Sequence, residues 1–82
     1  MWYEIEHPND GTELARSFEF RDFKEAFSFC TMVALIAEKL NHHPSITIDY
    51  NKVSISTTTH DSGNTITDKD RQLTAEIDKL RI

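Results

Sequence analysis

One cysteine, two glycines and two prolines are all that the 82 residues contain of the types that staple or punctuate a chain. The lone Cys30 makes no intrachain disulfide, so no bridge holds the fold together. So little glycine and proline excludes collagen-like and low-complexity architectures, and no internal repeat is visible. No apolar run approaches the ~20 residues of a membrane-spanning helix. Met1-Trp2-Tyr3-Glu4-Ile5-Glu6 carries acids where a secretion signal carries bases, and the expectation is a soluble cytoplasmic protein. Cations are scarce too. Nine Lys and Arg against fourteen Asp and Glu give a net charge of −5, which argues against a broad nucleic-acid surface.

What is present is globular in balance, with 38% hydrophobic and 28% charged residues. The length fits one domain over residues 1–82. A chain this short buries only about 60–65% of its surface on folding, so oligomerisation is an ordinary way to add stability. Cys30 lies in a periodic apolar segment, where a buried inert thiol is the plain reading and a nucleophile needs a cationic setting.

Tyr3 and Ile5 alternate with Glu4 and Glu6, as in a half-buried strand whose apolar face is Tyr3 and Ile5. Arg16-Ser17-Phe18-Glu19-Phe20 alternates again, after a longish loop dense in turn residues through His7-Pro8-Asn9-Asp10-Gly11. From Asp22 the period changes. Phe23, Ala26, Phe27, Cys30, Val33, Ala34, Ala37 and Leu40 form a helical stripe, with Asp22 as N-cap and Glu25 as its reciprocal partner. Pro44 stops this helix near Asn41. Ile46–Tyr50 and Val53–Ser56 alternate around a tight turn in which Asn51 takes a positive φ, and Thr57-Thr58-Thr59 extends the second strand to His60. A loop leads to a last helix with Thr67 as N-cap, Asp70 at its third position, and Leu73, Ile77 and Leu80 inward.

The order ββαββα predicts an α+β two-layer sandwich, a four-stranded antiparallel sheet with two helices on one face. Paired strands without crossover helices exclude a doubly wound parallel fold.

Chemistry concentrates in the histidines. His42 and His43 stand where the long helix stops and His60 where the fourth strand stops, on the rim where loops meet. Imidazole titrates near neutrality, so such a group can donate one proton and remove another. The pattern alone leaves three readings open: acid–base catalysis, a surface or helix-terminus role, and a metal site, for which a His-His pair plus one distant His is a poor match. His7, in a turn, receives no role. Glu38 lies one turn before His42, from where it either orients that ring or pairs on a wet surface. Asp70 reads most simply as a capping acid, and Asp61, Asp68 and Glu76 as solvated charges. The threonine run supplies hydroxyls, although strand propensity explains it.

Glu38-Lys39-Leu40-Asn41-His42-His43-Pro44, then Tyr50-Asn51-Lys52-Val53, then Thr59-His60 and a later Asp70 resemble the pterin-4a-carbinolamine dehydratase family. Its signature is an acid, three residues, His-His-Pro, an aromatic, a Thr-His and a later Asp. Phe18-Glu19-Phe20-Arg21-Asp22-Phe23 through Ala26 resembles the family's approach to its long helix. The likeness covers about residues 14–80.

The resemblance implies dehydration of a 4a-hydroxytetrahydropterin, 4a-hydroxytetrahydrobiopterin, to the quinonoid dihydropterin. That is a hydro-lyase step in tetrahydrobiopterin recycling, linked to aromatic amino acid hydroxylases. It implies His42, His60 and His43 as the catalytic residues, with His42 and His60 the acid–base pair and His43 mainly binding the pterin, and Glu38, Asp70 and Thr59 as further substrate-binding or orienting groups. Glu38 beneath His42 makes His42 the preferred acid. No metal and no cofactor is implied, and a homodimer or homotetramer is. The family's animal members also act as dimerisation cofactors of a homeodomain transcription factor, so a non-catalytic binding module is the alternative. The chain departs from the pattern in having no helix ahead of Trp2, Ile46 where many members have an aromatic, and one extra residue in the loop 61–65.

Overall fold

Alternation and helical periodicity resolve into β1 (Tyr3–His7), β2 (Gly11–Glu19), α1 (Phe23–Leu40), β3 (Ser45–Asp49), β4 (Lys52–Thr57) and α2 (Asp68–Asp78). The computed structural model describes residues 1–80. The sheet is antiparallel throughout in the order β1-β2-β4-β3, and both helices pack on one face of it. The ββαββα sandwich is therefore observed. Its core joins Ala26, Phe29, Val33 and Ala37 of α1, Val53 and Ile55 of β4, and Leu73 and Ile77 of α2.

Register decides which face each strand presents. Glu4 lies opposite buried Leu14, so Glu4 and Glu6 share the helix side of the sheet. Tyr3 and Ile5 point to the open side, 64% and 38% exposed. The half-buried Tyr3/Ile5 face is thus overturned: alternation defines two faces without saying which is inward. Trp2, of the other parity, packs against the core instead. The first loop is also shorter than expected, because β2 begins at Gly11 and leaves only residues 8–10 between the strands.

Helix α1 is rotated relative to the expected stripe. Phe29 is buried, whereas Phe27 is 55% exposed, and Phe23, Ala34 and Leu35 also face outward. Phe23-Phe27-Cys30-Ala34 and Ala26-Phe29-Val33-Ala37 both run at helical spacing, so periodicity ranks neither. Phe18 of β2 and Phe20 just after it decide the matter, with ring centroids 4.7 and 4.9 Å from Phe29. Asp22 caps α1 through the Glu25 amide at 2.9 Å, but the Glu25 carboxylate accepts from the Arg21 amide rather than reciprocating.

The end of α1 sets the position of the first two histidines. Asn41 turns left-handed at φ 53, its amide reaches Glu38 O, and the His42 amide reaches Ala37 O at 3.1 Å. These two bonds form a Schellman close, which satisfies the last carbonyls and fixes the path on which His42 leaves the helix. In the β3–β4 turn Tyr50, not Asn51, takes the positive φ. Asn51 ties the turn to the residue after β2 by donating its carboxamide N–H to Phe20 O at 2.9 Å. β4 ends at Thr57, and His60 opens a separate 3-10 turn, His60–Ser62, rather than ending the strand.

Candidate active site

Thr57 and Thr59 have the same parity as Val53 and Ile55, so their hydroxyls enter the core side of the sheet, where both residues are buried. The N-terminus of α2 meets them there. Thr67 caps α2 and Asp70, three residues on, completes the capping box. The Asp70 carboxylate, wholly buried, does far more than cap. Its Oδ2 accepts from the Thr67 amide at 2.9 Å and from Thr59 Oγ1 at 2.7 Å, and its Oδ1 accepts from Thr57 Oγ1 at 2.6 Å. Thr59 spends its single proton on Asp70, so the Thr67 hydroxyl donates to Thr59 Oγ1 at 2.6 Å.

The fourth partner of Asp70 is His42, whose Nε2 lies 2.7 Å from Oδ1. Burial pushes the Asp70 carboxyl up, but the bonds from Thr57, the Thr67 amide, His42 and Thr59 outweigh it and bring the pKa down to about 2. Its place in the first turn of α2 favours the anion as well. An ionised carboxylate only accepts, so Nε2 of His42 carries a proton. Nδ1 is then the lone-pair nitrogen of the neutral ring. Among the described residues no buried side-chain nitrogen or oxygen lacks a partner, and Nδ1 has none, so it is open to solvent.

His42, His43 and His60 line one cavity of about 260 Å³ with Asn41, Thr58, Thr59, Asp61 and Lys69. The helix end, the start of the 3-10 turn and the first turn of α2 thus bring all three rings together. A second hollow of about 210 Å³ shares His43, Thr58 and His60 with it. Two larger hollows, of about 420 and 500 Å³, contain no histidine. In the first of them Arg16 is paired to Asp78 at 3.0 Å. The three imidazoles, not volume, single out the histidine cavity.

Of the two readings of Glu38, the surface pairing is the one observed, and a seat beneath His42 is not. The Glu38 carboxylate pairs with Nε2 of His43, both groups largely exposed, while His42 turns inward to Asp70. The left-handed residue between helix and histidines breaks the i, i+4 relationship that would have stacked Glu38 on His42. His60 is exposed, with its Nδ1 donating to Asn64 Oδ1 at 2.7 Å. Sequence reasoning missed Asn41, Asn64 and Lys69. The common inward parity of Thr57 and Thr59 was the available signal that these hydroxyls serve a buried acid.

A sequence model described as pterin 4 alpha carbinolamine dehydratase matches residues 1–80. The chain belongs to this family. A Synechococcus sp. (strain WH7803) protein, provisionally named pterin-4-alpha-carbinolamine dehydratase, is 52% identical over 67 residues, 82% of this chain and 71% of that one. A Sulfurisphaera tokodaii protein with the same provisional name is 49% identical over 70 residues, 85% and 74% of the two chains. Among solved structures, a transcriptional coactivator/pterin dehydratase from Brucella melitensis superposes with a TM-score of 0.82 at 35% identity, covering 94% of this chain and 78% of that one. A pterin dehydratase-like RuBisCO assembly factor of the alpha-carboxysome shares the fold, with a TM-score of 0.76 at 22% identity over 94% and 84%. No described helix is long and apolar enough to cross a membrane.

Proposed function

We propose that the chain dehydrates a 4a-hydroxytetrahydropterin to the quinonoid dihydropterin, with His42 and His60 as the acid–base pair and no metal or cofactor. The observation that carries this reading is the convergence of three imidazoles on one cavity, one of them held by an ionised buried carboxylate. The reaction breaks the bond between C4a and its hydroxyl. The lone pair of the adjoining ring nitrogen forms the new C=N bond, the hydroxyl leaves as water with one added proton, and the nitrogen gives up its proton.

The Asp70 bond supports one division of labour, the reverse of the role that Glu38 had implied for His42. With Nε2–H donated to Asp70, neutral His42 offers Nδ1 as a base toward the ring nitrogen, and Asp70 stabilises the imidazolium that forms. His60, its Nδ1–H held by Asn64, acts as the acid from its imidazolium form: Nε2–H gives its proton to the leaving hydroxyl, and the Nδ1–H tautomer that Asn64 accepts from is left behind. Exchange with solvent resets both rings. His43, steadied by Glu38, lines the shared wall of both hollows and orients the pterin. Thr59 supports the site through Asp70.

Following the ultraviolet signature of chemically generated 4a-hydroxytetrahydrobiopterin with and without protein tests the reading. Acceleration supports the enzyme and its place in tetrahydrobiopterin recycling. A rate equal to the spontaneous one at high protein removes it. The second reading is a binding module, favoured by the outward Phe23 and Phe27 of α1, whose ring centroids are 5.8 Å apart, and by exposed Leu35. Such a face suits self-association to a homodimer or homotetramer, which sedimentation reads directly and which is compatible with catalysis.

A further inference from the structure

The loop that carries His60 is not free. Asn64 sits left-handed at φ 59, its amide bonds Thr59 O at 3.1 Å, and its carbonyl accepts from the Thr12 amide at 2.8 Å. Thr12 grips the same loop twice more, through Ile66 N to Thr12 Oγ1 at 3.3 Å and Thr58 Oγ1 to Thr12 O at 2.7 Å. Thr59 and Thr65 close its base as an isolated bridge. Gly11 makes this close approach feasible. It stands at φ +97, and a Cβ there would lie 2.0 Å from Asn64 O and 2.7 Å from Asn64 Cβ, distances at which any side chain collides with backbone.

We propose that Asn64, seated against Gly11 and Thr12 of the first hairpin, is the positioning residue for His60: it fixes the ring by accepting from Nδ1 and leaves Nε2 as the nitrogen presented to the site. A hydrogen bond between two exposed side chains is worth little by itself. Here its acceptor is carried on a backbone pinned by a neighbouring strand, so the carboxamide is held where the ring must meet it. The hairpin turn, remote from the chemistry in sequence, thereby sets the geometry of the acid. Part of this inference, the effect on turnover, rests on the dehydratase reading; the tautomer of His60 does not.

The experiment is nitrogen-15 NMR of the histidine rings combined with turnover. Asn64→Gly deletes the carboxamide while keeping a backbone content at positive φ, and circular dichroism checks its fold. The expected result is loss of the Nδ1–H tautomer at His60 and a fall in kcat of roughly 10–100-fold with KM little changed. Asn64→Asp still accepts from Nδ1 and should keep the tautomer. Gly11→Ala should shift the same His60 signals as Asn64→Gly. An unchanged His60 tautomer in folded Asn64→Gly overturns the proposal. If the wild-type chain shows no dehydration while the tautomer responds as described, the dehydratase reading fails and the positioning role stands.

Discussion

Nε2 of His42 lies 2.7 Å from Oδ1 of Asp70, a carboxylate with no solvent exposure. This pair joins the end of the first helix to the start of the second. One acid thereby caps a helix, satisfies two threonine hydroxyls and fixes the tautomer of a site histidine.

Asp70→Asn should be costly in two ways. An amide cannot accept from four donors, and its NH₂ would face donors it cannot serve. The expected stability loss is about 3 kcal/mol by urea unfolding. With the His42 tautomer no longer enforced, kcat should fall by roughly 10²–10⁴-fold. A variant as stable and active as the wild type would remove Asp70 from this role.

Stability should also depend on acid through the same group. The folded pKa of Asp70, about 2, lies below its ordinary value of 3.8, so the unfolded chain takes up this proton first as pH falls. The contribution, about 2 kcal/mol, is complete above roughly pH 5 and is lost as pH falls through the interval down to the folded pKa. Unfolding curves between pH 2 and 6 should show this slope in the wild type, and Asp70→Asn should lack it. Equal slopes in both proteins would assign it to other carboxylates.

The two acids near the histidines should separate cleanly. Glu38 pairs with His43 in solvent, where such an ion pair is worth about 0–1 kcal/mol. Glu38→Gln should therefore leave stability nearly unchanged and reduce kcat/KM by less than about 10-fold. A loss as large as that of His42→Ala would mean that Glu38 serves His42 after all.

Helix α1 offers a packing test. Phe29→Ala removes a ring packed against Phe18 and Phe20 and should cost about 3–5 kcal/mol. Phe27→Ala, on the outward face, should cost under about 1 kcal/mol in the monomer. Comparable losses by thermal unfolding at low concentration would place both rings in contact with protein.

The element order was legible because period-2 and period-3.6 patterning alternate cleanly between Tyr3 and Leu80, and because Asp22, Asn41 and Thr67 are strong boundary residues. Orientation was not. Two apolar rows on α1 have equal spacing, and Tyr3 and Ile5 alternate as well as any buried pair. Only the β2–β4 pairing, which joins strands from different hairpins, settles which rows point inward. For the site, His42, His43 and His60 stood out because imidazoles gathered at element ends. The Asp70–His42 bond spans 28 residues, and the seat of Asn64 on Thr12 joins the first hairpin to the last loop. No local spacing rule reaches that far.

The central claim is tested most directly by the rate at which 4a-hydroxytetrahydropterin loses its ultraviolet signature with the wild-type chain, with His42→Ala and with His60→Ala. The wild type should accelerate dehydration, and each variant should lose about 10²–10⁴-fold of that acceleration. A wild-type rate equal to the spontaneous one, or two variants as fast as the wild type, would contradict it.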